Sequence, residues 1–191
     1  MAWLMRLIII STTLLLGLAF AQRGADLNTG TKVYFLNDDS HKQWCGYASE
    51  SRLKTQIQTL RAMIVGEVDY KNDRVYAIHI TEVDETGDWA VNDEYTLDES
   101  ETIRSLKRTI NIIPEDNSEE QLFLIKNGKA IKQSSTHREL RTSKPAKGTV
   151  NWFEAPRVIT EIKAFPFATL ITKKQQVVWS TGEVCVPKRG K

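Results

Sequence analysis

Apolar residues follow two distinct patterns along this chain. From Leu7 to Leu18 they are nearly continuous, interrupted only by Ser11, Thr12, Thr13 and Gly17. Beyond residue 31 they recur in short runs and alternating stretches separated by polar clusters. Arg6 precedes the continuous run and Ala19-Phe20-Ala21 follows it, the small-x-small pattern of a cleavage site. Residues 1–21 therefore read as a cleaved export signal, with Gln22 as the first mature residue. The run is shorter than the about 20 residues of a membrane span, which disfavours an uncleaved anchor.

The second pattern predicts mostly strands. Lys32–Leu36 and Trp44–Ala48 are short strand candidates, separated by the polar stretch Asn37–Gln43. Leu53, Ile57, Leu60 and Ile64 line one face of a helix, and Ser49 or Ser51 is placed to cap it. Alternation from Leu60 to Tyr70 fits a strand equally, so a helix over Ser51–Arg61 is expected to give way to a strand over Met63–Tyr70. Arg74–Val83, rich in β-branched residues over Ala77–Thr81, and Trp89–Leu97, which follows a Thr86-Gly87-Asp88 turn, are further strand candidates. Ile103–Ile113 fits either a strand or a helix and ends at Pro114. Leu122–Lys126 and Lys129–Gln133 flank Asn127-Gly128, the strongest hairpin signal present, because both turn positions need φ > 0. Ser134–Gly148 is polar and basic and is expected to be a long exposed loop. Val158–Ala164, Phe167–Thr172, Val177–Thr181 and Glu183–Val186 complete the strand candidates, with Pro166 marking a bend.

Roughly nine short strands with frequent turns predict a mainly β fold, a curved or barrel-like antiparallel sheet with one helix near residues 51–61. The organisation expected is a signal over 1–21, a flexible leader over 22–31, one β-rich domain over 32–187 and a basic tail over 188–191.

Charge sharpens this picture. The 191 residues carry a net charge of +2, but residues 22–100 hold 8 Lys and Arg against 15 Asp and Glu, and residues 101–191 hold 17 against 9. If the two halves interleave in space, the charges cancel on a solvated surface. If they do not, a basic face is left for an anionic partner. The candidate partner-binding residues are His137, Arg138, Arg141, Lys144 and Lys147, followed by the aromatic pair Trp152 and Phe153. Export and the lack of a basic excess overall argue against nucleic acid.

Cys45 and Cys185 are the only cysteines. An even count without metal-ligand spacing in an exported chain predicts one disulfide; two buried thiols are the alternative. Trp44-Cys45-Gly46-Tyr47 lacks the second cysteine of a redox motif. With no Asn-x-Ser/Thr sequon and no cysteine closing the apolar run, a bacterial periplasmic or secreted protein is expected rather than a eukaryotic one.

Candidate chemistry is sparse. Asp84, Asp88 and Asp93 are a calcium candidate, but their spacing fails the EF-hand pattern and a solvated turn explains them. His41, His79 and His137 lack metal-ligand spacing, and His79 is expected on the strand face opposite Ile78 and Ile80. No Gly-x-Ser-x-Gly nucleophile motif occurs. The sequence implies no cofactor and leans away from an enzyme. Its leading reading is a non-enzymatic binding or interaction module for a protein, an envelope polymer or a small ligand. A carrier of a small hydrophobic ligand in a barrel cavity and an envelope hydrolase with paired carboxylates are the alternatives.

Overall fold

The computed structural model describes residues 31–38, 43–47, 49–60, 64–72, 74–146, 157–172 and 183–187. The expected export signal, almost all of the leader, the strand over Val177–Thr181 and the basic tail lie outside the described residues.

Nine strands form a single antiparallel sheet: β1 (Thr31–Asp38), β2 (Gln43–Tyr47), β3 (Ile64–Lys71), β4 (Arg74–Val83), β5 (Trp89–Leu97), β6 (Ile103–Ile112), β7 (Asn117–Lys126), β8 (Lys129–Glu139) and β9 (Glu183–Pro187). Their order is β8-β7-β6-β5-β4-β3-β1-β2-β9. From β3 to β8 this is a plain meander, so each hairpin places sequence neighbours side by side. Asn127 and Gly128, with φ of 51° and 70°, make the β7–β8 turn that their dipeptide predicts. Ile103–Ile112 resolves as a strand, its burial alternating along its length.

The sheet is open, with β8 and β9 as its edges, so the closed-barrel alternative does not hold. Side chains are exposed from Lys129 to Thr136 on both faces of β8, and closure would bury little apolar surface there. The sheet is nonetheless curved. Trp44 on β2 and Tyr95 on β5 line one cleft, although four strand spacings on a flat sheet would separate them by about 19 Å.

The inner face carries the main core, with Val33, Phe35, Val68, Ile78, Tyr95 and Leu106 at its centre. The segment after β8 fills it. Phe167 stacks on Phe35 at 4.6 Å and meets Trp44 at 5.0 Å, while Phe165 stands edge-on to Tyr95 at 5.1 Å. Two expected strands are corrected here. Within Val158–Ala164 the chain makes a 3-10 turn (Ile162–Ala164), and Phe167–Thr172 contains the short helix α2 (Ala168–Thr172). Apolar β-branched residues suggested strands, but Phe167, Leu170 and Ile171 are buried at i, i+3 and i+4, the spacing of a helix laid on a sheet.

On the outer face, α1 (Glu50–Leu60) covers β1 and β2. Ser49 caps it, its Oγ accepting from Arg52 N at 3.4 Å. Leu53 and Ile57 pack against Tyr34, Leu36, Cys45 and Tyr47. Beneath the helix, Cys45 on β2 and Cys185 on β9 face each other in register and form a disulfide. Among the described residues, no helix is long and apolar enough to cross a membrane.

One further expectation changes. Ser134–Gly148 is not one long loop: β8 continues to Glu139, the chain turns, and Arg138 bridges to Pro145. An edge strand exposed on both faces needs no apolar alternation, so its sequence resembles a loop. The two halves interleave in part, since β9 pairs with β2 and residues 157–172 pack over Phe35 and Trp44, but the meander still sets an acidic block beside a basic one. Residues 64–101, spanning β3–β5, hold 2 Lys and Arg against 12 Asp and Glu, and residues 102–146, spanning β6–β8, hold 9 against 5.

Candidate functional site

Alternation along the central strands brings charged groups onto the inner face. Asp93 on β5 and Arg108 on β6 stand opposite each other in register. Arg108 donates from Nε to Asp93 Oδ1 and from Nη2 to Oδ2, both at 2.6 Å, and the two side chains are only 3% and 6% exposed. The Tyr95 hydroxyl donates to Asp93 Oδ2 at 3.3 Å and accepts from Ile159 N at 3.3 Å. Such a pair is retained in a core only when both partners are satisfied.

Beside this pair lies a cleft of about 140 Å³, walled by Trp44, Ile64, Ile80, Val91, Tyr95 and Ile159, with Glu82, Asp93 and Arg157 also lining it. Burial raises the Glu82 pKa, and Asp93 adds to this while Arg108 opposes it. Trp44 is 2% exposed and its Nε1 has no hydrogen-bond partner among the described residues. An orphaned buried donor costs about 1–3 kcal/mol.

A second polar cluster lies at the β7–β8 end of the inner face. Glu119 Oε1 accepts from Ser135 Oγ at 2.5 Å, Gln121 Nε2 at 2.7 Å and Lys132 Nζ at 3.4 Å, and His137 Nε2 stands 3.9 Å away. Burial alone would raise the Glu119 pKa, but these donors hold it below the usual carboxylate value.

The candidate partner-binding residues divide accordingly. His137 turns inward beside Glu119. Arg138 is exposed on β8, Arg141 is exposed and 3.7 Å from Asp116, and Lys144 is exposed in the turn. Lys147, Trp152 and Phe153 lie outside the described residues. Next to β8 the outer face shows exposed Leu122, Leu124 and Ile131. Leu122 and Leu124 border a shallow groove of about 350 Å³ with Glu94, Thr96, Lys107 and Gln133.

The calcium candidates serve other ends. Asp84 accepts from Trp89 N at 3.0 Å and from the Thr86 hydroxyl, organising the β4–β5 turn. Asp88 is exposed in that turn, and Asp93 belongs to Arg108. Among the described residues, Glu67, Asp69 and His79 form the grouping within metal-ligand reach. There Lys32 Nζ contacts Glu67 and lies 3.4 Å from Asp69, taking a cation's place. His79 Nε2 is 3.2 Å from Asp69 Oδ2.

Chemically, the cleft offers one carboxyl rather than two. Both Asp93 oxygens are engaged by Arg108 and Tyr95, whereas Glu82 has no hydrogen-bond partner among the described residues. Sequence reasoning missed Glu82, Arg108 and Trp44. The signal for Arg108 was present: on a strand it shares a face with Leu106 and Ile110, so its charge must point inward. No known protein family, curated protein or solved structure matches this chain.

Proposed function

We propose that this chain is an exported, non-enzymatic interaction module that binds an extended acidic segment of a partner protein along β8. The observation carrying this reading is an apolar shelf of Leu122, Leu124 and Ile131 beside an open, basic sheet edge. Lys126, Lys129, Lys132, Arg138, Arg141 and Lys144 cluster on β7, β8 and the following turn. An added strand would gain main-chain hydrogen bonds from the edge, apolar contact from the shelf and charge complementarity from these cations.

Lysines and the irregularity at Leu122/Phe123 also guard a bare edge against indiscriminate pairing. Protection of that kind does not account for three exposed large apolar side chains next to it. The export reading rests on the address at residues 1–21, and the disulfide suits a periplasmic or secreted location. A hydrophobic-ligand carrier fits less well, because the apolar inner-face cleft holds only about 140 Å³ against about 300–1,000 Å³ for drug-sized ligands, and the larger groove has Glu94, Lys107 and Gln133 on its walls. A paired-carboxylate hydrolase fits less well, because Asp93 is committed to Arg108.

Peptide titration followed by amide NMR tests the proposal. A peptide of alternating valine and glutamate should bind saturably, perturb the β8 amides and weaken with salt. Lys129→Glu should reduce its affinity several-fold. Equal binding of a valine–lysine peptide, or no β8 response, would overturn the reading.

A further inference from the structure

The grouping of Glu67, Asp69 and His79 lies on β3 and β4, away from both β8 and the inner-face cleft. We propose that these three side chains form a zinc site on the outer face of the sheet, from which the Lys32 ammonium withdraws when the ion binds.

The sheet supplies the geometry. His79 on β4 stands opposite Glu67 on β3 in register, and Asp69 lies two residues further along β3, so all three side chains leave the same face. One ligand atom from each falls within 4.8 Å of the other two. Two donors about 2.1 Å from one zinc ion stand about 3.4 Å apart in a tetrahedron, so closure needs movements of only about 1 Å. Strands hold such positions more firmly than loops do. The side chains of Glu67, Asp69 and His79 are 21%, 22% and 38% exposed, which admits an entering ion and a water as its fourth ligand.

The donor set selects the metal. An imidazole nitrogen beside two carboxylates suits zinc, whereas calcium and magnesium take oxygen ligands. Charge points the same way. Glu94 faces His79 from β5, so with Glu67 and Asp69 it puts three carboxylates around the imidazole. Lys107, opposite Glu94, is drawn to Glu120 at 3.0 Å. Among the described residues, Lys32 is the ammonium paired with Glu67 and Asp69, and its position shows that the gap between them accepts a cation. That ammonium is a single charge on a flexible stem, and its side chain is 43% exposed, so it can swing into solvent. A divalent ion brings twice the charge and bonds the imidazole nitrogen as well.

Zinc chloride titrated into the disulfide-bonded protein tests the proposal by calorimetry and NMR, in buffer basic enough to keep His79 neutral. The His79 ring and the neighbouring β1, β3 and β4 amides should shift saturably, and magnesium chloride should leave that ring unmoved. His79→Ala should weaken binding by about tenfold or more, and Glu67→Gln several-fold, with the unfolding transition of each variant retained. Lys32→Met should tighten binding several-fold, because the internal competitor is gone. No zinc response at His79, zinc held at His137 instead, undiminished binding by H79A, or weaker binding by K32M would overturn the proposal. Because none of these residues lies on β8, the results stand apart from the peptide experiment.

Discussion

Asp93 and Arg108 meet across the β5–β6 ladder with both carboxylate oxygens bound, flanked by Ile80, Val91, Tyr95 and Ile110. Their geometry makes the pair satisfied but not replaceable one partner at a time. Arg108→Met should destabilise the fold by about 3–5 kcal/mol, because it strands a buried carboxylate. Combining it with Asp93→Leu should recover most of that loss. Urea denaturation of the single and double variants measures the difference, and purely additive losses would contradict this account.

The disulfide closes a span of 140 residues between β2 and the edge strand β9. Constraint of so long a loop in the unfolded chain contributes about 4–5 kcal/mol on the entropic model. Replacing Cys45 and Cys185 with Ser should lower the unfolding midpoint accordingly and loosen β9 first. Intact-mass measurement of the unreduced protein should show both thiols oxidised, and hydrogen exchange should locate the loosening.

Much of this architecture is legible in the sequence, and the parts that are not share a physical cause. Arg74–Val83 and Trp89–Leu97 have the predicted bounds, because polar turn residues delimit two runs rich in β-branched and aromatic residues. The helix over Glu50–Leu60 differs by one residue from its expected range. Residues 134–136 are exposed and residues 134–139 are all polar, so no apolar alternation marks them and an edge strand looked like a loop. Val158–Thr172 is apolar enough for a strand, and only the spacing of Phe167, Leu170 and Ile171 points to a helix. The candidate cleft was hidden for another reason. Trp44, Glu82 and Arg157 are far apart in sequence; sheet curvature brings the first two together, and the segment after β8 adds the third.

Gly66 on β3 makes room for the aromatic stack above the sheet. A Cβ there would lie 2.9 Å from Phe167 Cε1 and Cζ, and that ring is itself stacked on Phe35. Gly66→Ala should cost about 1–3 kcal/mol through overpacking. In a Phe167→Leu background the same change should cost much less, since the ring it strikes is gone. A double-mutant cycle from chemical unfolding tests this, and an unchanged penalty would place the strain elsewhere.

His79 and Asp69 give the outer face a pH response of defined sign. Burial opposes protonation of His79, but the hydrogen bond and charge of Asp69 outweigh it and raise the histidine pKa. A raised folded-state value means that the stabilisation is fully present below the unfolded value, about 6.5, and is lost as pH rises through the folded value. Stability should therefore show a downward component above about pH 6.5. Asp69 acts in the opposite window: burial disfavours its charge, yet His79 and Lys32 lower its pKa, so its stabilisation is lost as pH falls through that lowered value. Asp69→Asn should remove both effects and lower the His79 midpoint in an NMR titration. A His79 midpoint unchanged by that substitution would show that the neighbouring Glu67 and Glu94, rather than Asp69, set its charge.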